Sequence, residues 1–218
     1  MSSNEYVAGG RSIADVPRTT AADSTQAVVE ALARRTGPPT AFWGMLMLIA
    51  SEGVLFGAMV GTYFYLRFNH RAWPLPGDPR PAVVVPLILV ACLTASGLLM
   101  HLAWRAVRVG RLGATRLLLV GALVIQTGYF AYEVHDFADQ LHELPISRDA
   151  YSSIHFTLLG ADHAHVFVGL VLKLWLLGKL ARGLTTYRAN AVHAIVWYWL
   201  FVVVLTWVVT GTVLSAAT

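Results

Sequence analysis

The chain has 218 residues, 56% of them hydrophobic and only 13% charged, with a net charge of +4. An ordinary soluble domain is roughly 25% charged, and here the apolar residues come in long blocks, so the composition describes a polytopic membrane protein. The positive balance does not point to nucleic acid, because the arginines gather at the ends of apolar blocks, where they set orientation; with Cys92 as the single cysteine, a disulfide framework and a cysteine-based metal site are excluded.

Residues 1–40 are polar, rich in Ser, Thr and Ala, and read as a flexible cytoplasmic tail. Within it Ser24 is expected to cap a short helix over Ser24–Arg35, which Pro38 and Pro39 terminate. The tail lacks the apolar core of a signal peptide, so no cleaved targeting segment is expected.

Residues 41–218 form the membrane domain, with an all-α fold: a bundle of five transmembrane helices. A span needs about 20 apolar residues. Five segments qualify, near Phe42–Phe68, Val83–Ala106, Thr115–Ala138, Tyr151–Leu180 and Asn190–Leu214. The Pro-rich Asn69–Pro81 is a loop, Gly110–Gly113 a tight turn, Asp139–Arg148 an acidic loop and Ala181–Arg188 a short connection. No internal repeat of the kind that builds two-halved transporters is visible.

Basic residues near the span ends give the orientation. An inside N-terminus puts nine on the cytoplasmic side (Arg34, Arg35, Arg105, Arg108, Arg111, Arg116, Lys179, Arg182, Arg188) and four outside (Arg67, Arg71, Arg80, Arg148). Thr218 is then expected outside. Trp43, Trp73, Trp104 and Tyr187 suit headgroup anchoring, as do Trp197, Tyr198 and Trp199, although Trp199 suits an inside position equally.

In the first span Gly53, Gly57 and Gly61 recur every fourth residue, a ridge that lets another helix approach closely. Glu52 precedes it and points about a quarter turn away from Gly53 at ~100° per residue. Ionisable groups at membrane depth are costly and mark function by default. Glu52 is either a structural hydrogen-bonding group between helices or a proton- or lipid-linked one.

The fourth span carries His155, Asp162, His163 and His165 inside an apolar run that also holds Gly160 and Gly169. Helical periodicity puts His155 and Asp162 on nearly one azimuth with His165 about 60° round, one polar stripe, while His163 faces elsewhere. His163 and His165 therefore cannot chelate one ion from a regular helix. A metal would need Glu52, Glu133, His135 or Asp136 from other spans, and neither a Glu-x-x-His pair nor a His-Glu-x-x-His motif is present. A buried hydrogen-bonded network is the expectation. Glu52 and Asp162 count to similar depths from opposite ends, so contact between them is expected, with a proton or a histidine between the two carboxyls. His101, Glu133, His135, His142 and His193 fall towards span ends and are expected at the interface. Lys173 lies deeper and is expected to snorkel inward.

Several of these stretches resemble cytochrome c oxidase subunit III. Phe42–Arg67 is similar to that family's helix with a buried glutamate after a serine, the place of Ser51 and Glu52. Ala131, Tyr132 and Glu133 resemble its Tyr-Glu pair, and Ala150, Tyr151, Ser153, Gly160, His165, Val166 and Gly169 match the following loop and helix. Tyr198, Trp199 and Phe201 resemble the start of its last helix. The likeness runs from Trp43 to the C-terminus, in a five-span version lacking the two N-terminal helices of longer members. It departs at Asp162, where the family has a histidine, at His163, where it has glycine, and at Leu200 and Val203, where His and Asp are common.

The resemblance implies an accessory subunit of a haem–copper terminal oxidase in a bacterial inner membrane. Such a subunit binds no haem or copper of its own; both sit in the catalytic subunit I, its partner together with subunit II. It holds phospholipid between helix groups and supports proton uptake, with the glutamate, here Glu52, as its carbodiimide-reactive site. The departures fit a divergent branch, such as the subunit III-like protein associated with nitric oxide reductases. Two other classes stand beside this one. One is a stand-alone proton-coupled transporter relaying through Glu52 and Asp162. The other is a membrane metalloenzyme using His155, His163, His165 and Glu133.

Overall fold

A computed structural model describes residues 20–78 and 80–216. Most of the expected tail, residues 1–19, and the expected outer terminus at Thr218 lie outside the described residues. The described chain forms six helices and no strand: α1 (Ala21–Ala33), α2 (Thr40–Asn69), α3 (Val84–Arg108), α4 (Leu112–Glu143), α5 (Ala150–Ala181) and α6 (Thr186–Leu214). The five from α2 to α6 are long and apolar enough to cross a membrane.

Local chemistry fixes where each helix begins and ends. Thr20 and Asp23 close a reciprocal capping box at the start of α1, so Thr20 takes the capping role expected of Ser24. Asp149 and Ser152 do the same for α5, and Thr185 accepts from the Arg188 backbone N–H to start α6. Gly110 (φ 72°) and Gly183 (φ 99°) make the left-handed turns that separate α3 from α4 and α5 from α6. The end of α5 is closed by cations: Arg116 Nη2 donates to the Leu180 carbonyl at 2.6 Å, and Arg188 Nη1 reaches the Arg182 and Gly183 carbonyls.

Helices α3, α4, α5 and α6 close into a ring, each packed on the next, while α2 lies outside it against α5 and α6. Lipid tails are as apolar as leucine, so this packing depends on shape and interhelical polar bonds rather than on the hydrophobic effect. Trp199 supplies both. Its ring is fully buried, its Nε1 donates to Ser96 Oγ at 2.8 Å, and it fills the space that a Cβ at Gly169 would occupy, only 2.6 Å from that position. Trp199 is thus a core residue and not an interfacial anchor. Trp207 Nε1 donates to Thr94 Oγ1 at 2.9 Å, tying α6 to α3 a second time.

The glycine ridge of the first span behaves differently from expectation. Gly53, Gly57 and Gly61 are exposed, and no other segment lies within 4 Å of a Cβ built on any of them. The α2 face that meets α5 and α6 is instead formed by bulky residues, with Phe56 and Tyr63 buried. Gly160 has the Phe137 ring 3.7 Å from its Cβ position, and Gly169 makes the closest approach in the bundle.

Candidate functional site

The ionisable residues of α5 reach out in three directions, because successive helical positions turn by about 100°. His165 faces α2, where its Nε2 lies 3.3 Å from Glu52 Oε2. Its Nδ1 donates to the Ala161 carbonyl at 2.8 Å, which leaves Nε2 as the ring atom that faces the Glu52 carboxyl. The Phe56 ring packs edge-on against His165, and Tyr198 Oη donates to the His165 carbonyl at 3.0 Å. The pair sits at the flank of the bundle, with the Glu52 side chain 28% exposed and that of His165 17%.

His163 faces α4, where its Nε2 lies 2.9 Å from Glu133 Oε2. His155 also faces α4 but about two turns nearer the end. The Gln140 amide donates to Asp136, which leaves its Oε1 to accept from His155 Nε2–H at 3.2 Å. Asp162 faces α6, where its Oδ1 lies 2.9 Å from Thr206 Oγ1. The Thr206 hydroxyl also lies 3.0 Å from the Val202 carbonyl. One hydroxyl hydrogen cannot serve both acceptors, so when it bonds Val202 the carboxyl of Asp162 supplies the proton to Thr206.

Two expectations are corrected by this geometry. His155, Asp162 and His165 do not bond one another as a stripe, because each is claimed by a different neighbouring helix. Glu52 is not the partner of Asp162; Thr206 is, and the histidine beside Glu52 is His165. The separation of His163 from His165 does follow the helical arithmetic, since they meet α4 and α2 respectively. His101 and His142 are exposed, and His135 pairs with Asp139 at 3.0 Å on the surface. His193 stacks on Trp104, with ring centroids 4.4 Å apart. Among the described residues no group of three or more His, Cys, Asp and Glu side chains converges as a metal would require.

A second polar cluster lies deeper in the ring. Lys173 is fully buried, its Nζ donates to Gln126 Oε1 at 2.6 Å and stands 3.1 Å above the Trp199 ring. Gln126 Nε2 in turn donates to the Val166 carbonyl at 2.6 Å. The lysine is thus turned inward, held inside the ring by an amide and an aromatic face. Gln126, Gln140, Ser96 and Thr206 were not singled out by sequence reasoning. The signal for Gln126, Ser96 and Thr206 is the same, a lone polar side chain in the middle of an apolar helix, whereas Gln140 lies in the polar last turns of α4.

No family model matches the chain. It is 29% identical over 175 residues to the cytochrome c oxidase subunit 3 of Bacillus subtilis, covering 79% of this chain and 84% of that protein. It is 28% identical over 163 residues to the quinol oxidase subunit 3 of the same organism, covering 72% and 78%. A haem–copper oxidase subunit I+III of Aeropyrum pernix is 30% identical over 146 residues, 64% of this chain and 18% of that longer protein.

Proposed function

Because this chain belongs to the subunit III family of haem–copper oxidases, we propose that it is an accessory subunit that stabilises the catalytic subunit, holds lipid and supports proton uptake. It lies beside catalytic subunit I, with subunit II in the same complex, and the haem and copper belong to those partners. The observation that carries the proton role is the His165–Glu52 pair. It brings two ionisable groups together at the lateral surface of the bundle, where a neighbouring subunit can meet them.

The partner surface is the exposed flank of α2, where Gly53, Gly57 and Gly61 leave room for a second helix to approach. The Aeropyrum relative, named subunit I+III, favours this kind of partnership. Phospholipid fits the groove of about 440 Å³ between the start of α2 and helices α5 and α6. Arg35 there offers a guanidinium for a phosphate, and Trp175 and Tyr187 suit the headgroup level. The excess of arginine and lysine at the α3–α4 and α5–α6 turns favours an orientation with those turns and the residue 1–40 tail in the cytoplasm and the far end of α6 outside. The membrane is then the bacterial inner membrane.

Purification of the tagged chain in mild detergent tests the assignment. Haem absorbance and the catalytic subunit should co-purify, and a chain that runs alone without haem overturns it. Asp162, His163, Leu200 and Val203, where the family differs, favour one second reading, the branch associated with nitric oxide reduction. Assaying the purified complex for oxygen against nitric oxide consumption separates the two.

A further inference from the structure

The ring of α3 to α6 is not packed throughout. It holds a chamber of about 320 Å³ at the end where α4 and α6 finish and α3 and α5 begin. Arg80 and Glu143 stand at its mouth, and Asp162 lines its inner part. Asp162 is twelve residues beyond Ala150 on α5, about 18 Å along the helix axis at 1.5 Å per residue. The chamber thus joins an aqueous end of the bundle to a carboxyl at membrane depth. It is distinct from the lateral Glu52–His165 contact, and no residue of α2 lines it.

Its walls have a definite chemical character. Glu133, Asp136 and Glu143 line it from α4 and Asp162 from α5, against the single guanidinium of Arg80. A low-dielectric cavity lined by one sign of charge concentrates cations. His155 adds a polar ring to the wall. This side chain is 5% exposed and lines the chamber, and its Nδ1 has no hydrogen-bond partner. The Asp136–Gln140 bond fixes Nε2 as the donor end of the ring, so Nδ1 presents a lone pair. Water needs only about 30 Å³, so the chamber has room for several molecules along its carboxyl-lined wall.

We infer that this chamber is a water-filled proton well, through which Asp162 exchanges protons with the aqueous phase at the Glu143 end of the bundle. A proton enters as hydronium passed along the waters. It transfers to the Asp162 carboxylate, forming the carboxyl O–H and leaving neutral water, and release is the reverse step. Thr206 suits both states, accepting from the protonated acid while bonded to Val202 and donating to the carboxylate otherwise. Around Asp162, α4 presents Glu133 and Tyr129, α5 presents His163 and His165, α6 presents Tyr198, and Arg80 precedes α3 at the mouth. The inference stands on the chamber alone and holds whichever catalytic partner the chain has.

Carbodiimide labelling of the full chain in native membranes, read by peptide mass spectrometry, tests it. These reagents add to a protonated carboxyl, so labelling of Asp162 requires both an access route and a proton on the acid. A water-soluble cationic carbodiimide should modify Asp162 as well as Glu143, and should modify Asp162 faster than apolar dicyclohexylcarbodiimide does. Leu159→Trp and Val85→Trp, which fill the chamber from α5 and α3, should each cut cationic labelling of Asp162 at least tenfold with Glu143 unchanged. Glu143 labelled with Asp162 untouched in the wild type overturns the inference. So does faster labelling of Asp162 by the apolar reagent, or undiminished labelling in both filled variants. A missing haem protein in the purification would overturn the oxidase assignment and leave these results unaffected.

Discussion

His165 Nε2 approaches Glu52 Oε2 to 3.3 Å across the α2–α5 contact, while Nδ1 of the same ring is committed to the Ala161 carbonyl. Two ionisable groups therefore meet between helices that otherwise join through apolar packing. Glu52→Gln keeps the shape but removes the ionisable group. The complex should assemble in normal yield and start at a normal rate, then lose activity after several-fold fewer turnovers. Prolonged oxygen-electrode traces on the purified complex would show this, and a wild-type decay would reduce Glu52 to a packing role.

Gly169 and the α2 glycines should respond oppositely to a methyl group. Gly169→Ala drives a Cβ to 2.6 Å from Trp199, whose indole is pinned by Ser96, and should destabilise the subunit by about 1–3 kcal/mol. Gly57→Ala meets nothing within 4 Å, so its effect should stay within about 0.5 kcal/mol. Thermal denaturation of both variants in detergent measures the contrast. Gly57→Leu should likewise leave the melting of the isolated subunit unchanged but reduce co-purification with the catalytic subunit.

The difference between these glycines also shows what the sequence could reveal. A period of four in an apolar helix signals a surface open to close approach, but says nothing about whether the approaching helix belongs to the same chain. The spans were legible because twenty-residue apolar blocks, prolines and turn glycines are local signals; α1 begins three residues before the expected Ser24, with Thr20 as its cap, and ends two before Arg35. The azimuths of His163 and His165 were legible for the same reason. Partners across helices were not. Thr206 and Glu52 are both compatible with Asp162 in depth, and only the rotation of α2 and α6 about their axes, set by packing of Phe56 and Trp199, decides between them.

Lys173 offers a test of buried polarity. Among the described residues no carboxylate pairs with its amine, which depends on Gln126 and the Trp199 face. Gln126→Leu removes the acceptor and should cost about 1–3 kcal/mol. Lys173→Met removes the need for it and should be neutral or stabilising by about 1 kcal/mol. If the double variant melts at the Lys173→Met temperature, the glutamine serves only the lysine.

Two acids outside the spans should give opposite pH slopes. Burial, with Asp149 adjacent, raises Asp78 above its ordinary 3.8 despite Arg148 at 3.4 Å. The folded state then holds the proton more tightly than the unfolded chain, so stability falls as pH rises from 3.8 through the raised value and is level beyond it. Asp78→Asn should accordingly be more stable than the wild type at neutral pH, with the gap closing on acidification. The Thr20 hydroxyl and backbone N–H lower Asp23. Its contribution is present in full above 3.8 and disappears as pH falls through the lowered value, so Asp23→Asn should remove that acid-side loss. Melting temperatures across a pH series separate the two slopes.

The placement of α2 has a consequence for biogenesis. It touches α5 and α6 and stands outside the ring, so among the five described spans the earliest to emerge has its docking sites on the last two. Helices α3 and α4 can join as soon as both are inserted, but α2 must wait in the lipid, with Glu52 unpartnered, until α5 brings His165 and α6 follows. A nascent chain stalled before α5 therefore displays a lone acid in the bilayer. This exposed carboxyl gives membrane quality control a direct way to tell an unfinished subunit from a finished one.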